Sequence, residues 1–167
     1  MSIQSQLYGM DIRKLKTSNG KTLAECLYSE VIRLKNLIQF YLDEYLMSTP
    51  PMVYKRTGML LSSLQVDDFL GIQIVNGGLE IAIRFNDNAI HVSGDGIIGW
   101  DGSDEKVNVA VLLNYGYRVK KDVWFKNIEN FGYRTGSYFV EDGVADFNQN
   151  NPYGIKVTII RPDSYLV

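Results

Sequence analysis

The chain reads as an α+β protein, with a long N-terminal helix packed on a small, mainly antiparallel sheet and a second helix toward the C-terminus. Three patterns predict this: apolar residues at helical spacing over residues 22–47, alternation around Asn76-Gly77, and a second helical spacing between residues 136 and 150. At 167 residues the chain is close to one domain of about 150 residues. Residues 1–20 mix Gly9, Ser18, Asn19 and Gly20 with scattered charge and hold no period, so they read as an arm. No repeat or Ser/Gly linker divides the remainder, which predicts one α+β domain over residues 21–167.

In the first helix, Leu23, Leu27, Val31 or Leu34, Ile38, Tyr41 and Tyr45 follow spacings of three and four. Thr22 and Glu25 stand at capping-box spacing, where hydroxyl and carboxylate each satisfy an exposed backbone amide. Ser48-Thr49-Pro50-Pro51 stops the run, leaving a rod of roughly 39 Å. A second set, Tyr28, Ile32, Leu37, Phe40 and Met47, widens the apolar surface beyond one stripe. Such a helix is either cradled by its own sheet or packs one side internally and offers the other to a second chain.

Beyond the prolines, Thr57 is placed to cap a short helix bearing Leu60, Leu61 and Leu64. Ile72 and Ile74, then Leu79, Ile81, Ile83 and Phe85, flank Asn76-Gly77-Gly78, which predicts a hairpin over residues 69–86 on a type I′ turn with one wet face. Residues 89–93 read as a third short strand. The Gly- and Asp-rich loop at 94–104 holds Ile97, Ile98 and Trp100, unusually apolar for a connector. Residues 106–117 fit strand or helix; a short helix ending at a C-cap Gly116 is favoured. Phe139, Val140, Gly143, Val144 and Phe147 form the second helix, and Ile155, Val157 and Ile159 predict a closing strand returning to the sheet.

Composition narrows the chemistry. Hydrophobic residues are 46% and charged residues 22%, ordinary for a globular chain, with a mean hydropathy of -0.10. No apolar run approaches the roughly 18 residues that cross a bilayer, and the N-terminus has no secretory h-region, which predicts a cytoplasmic chain. Cys26 is the single cysteine and His91 the single histidine, so neither an internal disulfide nor a His/Cys zinc set can form. Seventeen basic against nineteen acidic residues give a net charge of -2, which argues against phosphate affinity as a main purpose. The 11 Tyr, 7 Phe and 2 Trp make an aromatic share of 12%; filling the core accounts for most of them, and aromatics also concentrate where proteins meet.

Catalytic patterns are weak. His91 alternates with Ile90 and Val92 and reads as a surface or structural residue. Asp95, Asp101, Asp104 and Glu105 lack the alternating oxygen spacing of a calcium loop. Gly94-Asp95-Gly96 through Gly99 spells a dinucleotide pattern without a helix behind it, and the pairs Asp67-Asp68 and Glu141-Asp142 are not gathered by any motif. The expectation is a protein without catalysis, cofactor or metal.

A resemblance sharpens that expectation. Over residues 20–160, the order of a long helix, Tyr54-Lys55-Arg56-Thr57-Gly58 with Leu60 and Ser63, a hairpin, Leu113-Asn114-Tyr115-Gly116-Tyr117, and an aromatic helix with Phe139 and Phe147 resembles the tail-completion or head-to-tail joining (neck) proteins of long-tailed bacteriophages. Here Asn114-Tyr115 replaces the glutamate that often precedes the glycine of the second box, and the 94–104 loop looks like an insertion. The resemblance implies a non-enzymatic ring of identical subunits in the virion neck, between the portal or adaptor and the tail tube or tail terminator. Such a protein is assembled in the host cytoplasm, away from membranes, and DNA passes through it without specific binding.

Candidate interface residues follow. Arg56 either pairs with a neighbouring subunit or ties the short helix to its own strand, with Thr57 and Gly58 beside it. Ile97, Ile98 and Trp100 stand in the loop; Tyr117, Trp124 and Phe125 either anchor an interface or cover the open end of the sheet. A tail-terminator ring protein is the nearest alternative, and a metal-dependent hydrolase using Asp101 or Asp104 the more distant one.

Overall fold

The computed structural model of the chain describes residues 11–48, 59–86, 91–92, 107–118 and 133–160. It has the mixed α+β architecture, with α1 (Leu23–Ser48), α2 (Met59–Ser63), α3 (Val109–Tyr115) and α4 (Phe139–Gln149). The strands are β1 (Leu64–Val66), β2 (Gln73–Val75), β3 (Gly78–Glu80), β4 (Ile83–Phe85), β5 (His91–Val92), β6 (Val107–Asn108), β7 (Gly116–Arg118) and β8 (Tyr133–Thr135). They pair as four two-stranded antiparallel ladders, β1 with β4, β2 with β3, β5 with β6 and β7 with β8.

α1 begins where its capping box places it. Thr22 N donates to Glu25 Oε2 at 2.7 Å, Glu25 N donates to Thr22 Oγ1 at 3.2 Å, and the Thr22 hydroxyl donates to the same carboxylate at 2.9 Å. The amide of Thr22, followed by its hydroxyl, holds the Glu25 carboxyl below its ordinary value of 4.5. A carboxyl depressed by folding stabilises the fold above its unfolded pKa and stops doing so as the pH falls through its folded one. The melting temperature of the native chain should therefore exceed that of Glu25→Gln near neutrality, and the gap should close as the pH drops below 4.5. Paired thermal melts check this; a gap that widens in acid contradicts the cap.

Residues 11–22 fold back on that helix start. Asp11 caps a 3-10 turn, Ile12–Lys14, Lys16 bridges Thr22, and Leu23 N donates to Leu15 O at 2.8 Å. The predicted stripe is only partly the buried one: Ala24, Cys26, Val31, Leu34, Ile38 and Leu42 are enclosed, while Leu23 is exposed and Tyr41 and Tyr45 are half-buried. From Leu34 onward the buried line keeps steps of four, and Leu42, at 0% exposure, takes the place expected of Tyr41.

α1 makes its most extensive contact with α4 rather than with a strand. The two run antiparallel: Ile38 meets Gly143, whereas Arg33, earlier in α1, lies 4.3 Å from the ring of Phe147 and donates to Asn150 O at 2.6 Å. Leu34, Ile38, Leu42, Leu60, Leu64, Ala110, Phe139 and Phe147 form the core. The Arg33 guanidinium, braced by Glu30 at 2.8 Å, sits at the C-terminal end of α4, where a cation suits the exposed carbonyls.

The predicted hairpin divides in two. Asn76 at φ 50° and Gly77 at φ 78° form the positive-φ turn, and Gln73–Val75 pairs with Gly78–Glu80. Ile83, Arg84 and Phe85 instead face Val66, Gln65 and Leu64. Residues 67–72 bulge out with a second 3-10 turn, Phe69–Gly71, so the ribbon pairs again on a different partner. Leu64, expected on the short helix, is the first residue of β1, because its buried side chain and its ladder both face Phe85. β5 supplies the described part of the third short strand, paired with β6.

Residues 106–117 satisfy both alternatives in turn: β6, then α3, then β7, with Gly116 at φ 84° where the helix ends. The closing strand is a correction. Ile155, Val157 and Ile159 are half-buried and alternate with exposed Lys156, Thr158 and Ile160, yet residues 155–160 pair with no strand among the described residues. Asn151 takes up the first backbone groups instead, its Oδ1 accepting from Ile155 N at 2.9 Å and its Nδ2 donating to Ile155 O at 2.8 Å. The alternation reports a half-buried extended segment, which needs no ladder.

Candidate functional site

Three surfaces stand out, each built from elements distant in sequence. The first is the junction between α3 and α4. Asn114, 2% exposed, accepts from Val140 N at 2.9 Å through Oδ1 and donates to Glu141 Oε2 at 2.6 Å through Nδ2. Its backbone carbonyl takes the amide of Tyr138 at 2.8 Å, and Leu113 O takes the amide and hydroxyl of Ser137, each at 2.9 Å. Asn114 thus performs the N-cap of a helix 25 residues away, which frees Tyr138 to hold a left-handed φ of 53° against the ring of Tyr115. Spacing rules look for a cap immediately before a helix, and so they miss this one.

The second surface lies on the outer side of α1. Phe40, Glu44 and Met47 recur at one helical stripe, Phe40 being 54% and Met47 79% exposed. The Phe40 ring meets Tyr41 edge-on at 5.4 Å, and the Tyr41 hydroxyl bonds Asp146 at 3.4 Å. Desolvation, then the carboxylates of Asp146, Asp142 and Glu44, raise the Tyr41 pKa, so the phenol is neutral and an aromatic centre carries an acidic rim.

The third is a shallow apolar groove of about 190 Å³ at the start of α1, lined by Leu23, Cys26, Leu27, Leu79, Tyr153 and Ile155. The neighbouring Cys26, ahead of desolvation, raises the pKa of Tyr153, whose hydroxyl accepts from Asn19 Nδ2 at 3.5 Å. Exposed Lys14, Lys16 and Lys21 belong to the folded-back segment beside this groove. Elsewhere, exposed apolar side chains cluster on the β1–β4 ribbon: Phe69, packed edge-on against Tyr28 at 5.5 Å, then Leu70, Ile74 and Val75.

Of the residues singled out by sequence, Tyr117 belongs to β7, where its backbone faces Arg134. Arg56, Thr57, Gly58, Ile97, Ile98, Trp100, Trp124 and Phe125 lie outside the described residues, as do Asp101 and Asp104. The acidic pairs are apart: Asp67 holds Arg84 at 2.6 Å on the ribbon, and Glu141 serves Asn114 at the start of α4. Among the described residues no three His, Cys, Asp or Glu side chains gather around a point that would hold a metal ion. No described helix is long and apolar enough to cross a membrane.

Comparison with protein-family models, curated proteins and solved structures finds no match to this chain. What the geometry offers is contact chemistry: aromatic and aliphatic side chains with charged rims, which suit the binding of other proteins.

Proposed function

We propose that this chain is a structural component of a bacteriophage neck, acting as a ring of identical subunits that joins the head to the tail. The observation that carries the reading is the exposure of large apolar side chains at well-separated places: Met47 is 79% and Leu70 91% exposed, on α1 and on the ribbon turn. A ring subunit needs two different complementary surfaces, and these side chains supply material for both. The order of elements also supports it, since the Leu113–Tyr117 box and the aromatic helix α4, two parts of the resemblance, are hydrogen-bonded together through Asn114. In this role the protein works by shape, meets the portal or adaptor on one side and the tail tube or terminator on the other, and turns over no substrate. Its net charge of -2 suits a ring through which DNA slides.

Light scattering on the purified chain, combined with maps of particles containing it, tests the reading. The expected result is a species of several copies with rotational symmetry, density at the head-tail junction, and no retardation of DNA at moderate salt. A strict monomer absent from particles would end it.

A further inference from the structure

We propose that copies of this chain associate head to tail, Phe40 of one copy entering the groove at the start of α1 in the next. The inference rests on the ring reading and names the two faces that meet. Phe40 and Leu23 are 17 residues apart on one helix, about 26 Å, so a copy cannot fill its own groove with its own Phe40. The two faces differ and complement each other, as a heterologous contact requires, and such contacts build rings when the rotation between copies closes.

Shape and charge agree on the occupant. An apolar cavity of about 150 Å³ holds benzene, so a groove of about 190 Å³ admits a phenylalanine ring. Glu44 lies one turn on from Phe40 along α1, and Asp146 and Asp142 stand by the hydroxyl of Tyr41, whose ring meets that of Phe40. Past residue 35 neither α1 nor α4 carries a basic side chain. Beside the groove stand Arg13, Lys14, Lys16 and Lys21; of the acids near them, Asp11 is paired with Arg13 at 2.8 Å, Glu30 with Arg33 at 2.8 Å, and Glu25 lies close to Lys16 and Lys21, so the rim stays net basic. An aromatic knob with an acidic rim therefore faces an apolar socket with a basic rim, and opposed rims of this kind set register and speed docking.

Charge reversal with complementation tests this on the full chain by sedimentation velocity. One variant carries Glu44→Lys with Asp142→Lys, the other Lys14→Glu with Lys16→Glu; all four residues are exposed, and melting curves confirm that each variant folds. Each variant alone should lose self-association, and an equimolar mixture should regain it. For the native chain, raising salt from about 0.1 M to about 1 M, which cuts the screening length from roughly 10 Å to roughly 3 Å, should weaken association about tenfold. Phe40→Ser should abolish it at either salt. Assembly indifferent to salt and to both reversals would overturn the pairing of these faces and leave the ring reading standing. A native chain monomeric at every salt and concentration overturns both. An acid-reversed variant that still assembles but now retards DNA would place the acidic face in a channel and also overturn the pairing.

Discussion

Valine in place of Gly143 should destabilise the fold by about 3 kcal/mol, the upper part of the range for overpacking a close-packed seam. A Cβ at this position would stand 2.8 Å from Ile38 Cγ1, 2.9 Å from Ile38 Cα and 3.0 Å from Ile38 N. Two of those atoms are backbone of α1, which can retreat only by opening the α1–α4 seam that Leu34, Ile38, Phe139 and Phe147 fill. Alanine should cost less, about 1–2 kcal/mol, because a helical alanine offsets roughly 1 kcal/mol of the clash relative to glycine. Urea midpoints for the glycine, alanine and valine forms check the order. An alanine form as stable as the native chain would mean that the helices do not approach this closely.

Truncating Phe147 to alanine should remove about 3–5 kcal/mol, within reach of the whole stability of a marginal domain. The ring is 1% exposed and lies under the Arg33 guanidinium at 4.3 Å. Its loss leaves a cavity between the helices and also strips Arg33 of the surface that orients it toward Asn150 O and Glu30. Leucine should recover more than half of the loss by filling most of the volume. A double-mutant cycle with Arg33→Met isolates the cation-ring share, expected at about 0.5–1 kcal/mol for a partly exposed pair. A loss below about 1 kcal/mol for Phe147→Ala would show that α4 is not held by this residue.

Both substitutions act on the same element that brings the acidic rim into being. Asp142 and Asp146 belong to α4, and Glu44 and Phe40 to α1, so the face proposed to meet the next copy exists only while the two helices stay docked. A variant that loosens the seam should therefore lose self-association along with stability. The charge reversals, placed on exposed residues, should separate the two effects.

Local chemistry made much of the fold legible. The Thr22–Glu25 box starts α1, Asn76-Gly77 turns the hairpin, and Gly116 ends α3, because each depends on atoms within a few residues of one another. Helical spacing found both long helices but placed Tyr41 where Leu42 is buried, since Tyr41 and Leu42 both extend apolar side chains and only the docking of α4 chooses the face. The candidate surfaces were less legible. Exposed Phe40 and Met47 already stood in the second apolar set with Glu44 between them, whereas Asp142 and Asp146 come from a helix about 100 positions later.

The turns and the start of α1 were thus written in the order of the residues, for their hydrogen bonds close over short loops at little entropic cost. The partner of each strand and the reach of Asn114 to α4 were settled when the chain packed, as were the split of residues 69–86 between two ladders and the pairing-free course of 155–160. Those choices weigh buried area and satisfied polar groups across segments far apart, and no short window of sequence holds both sides of that balance.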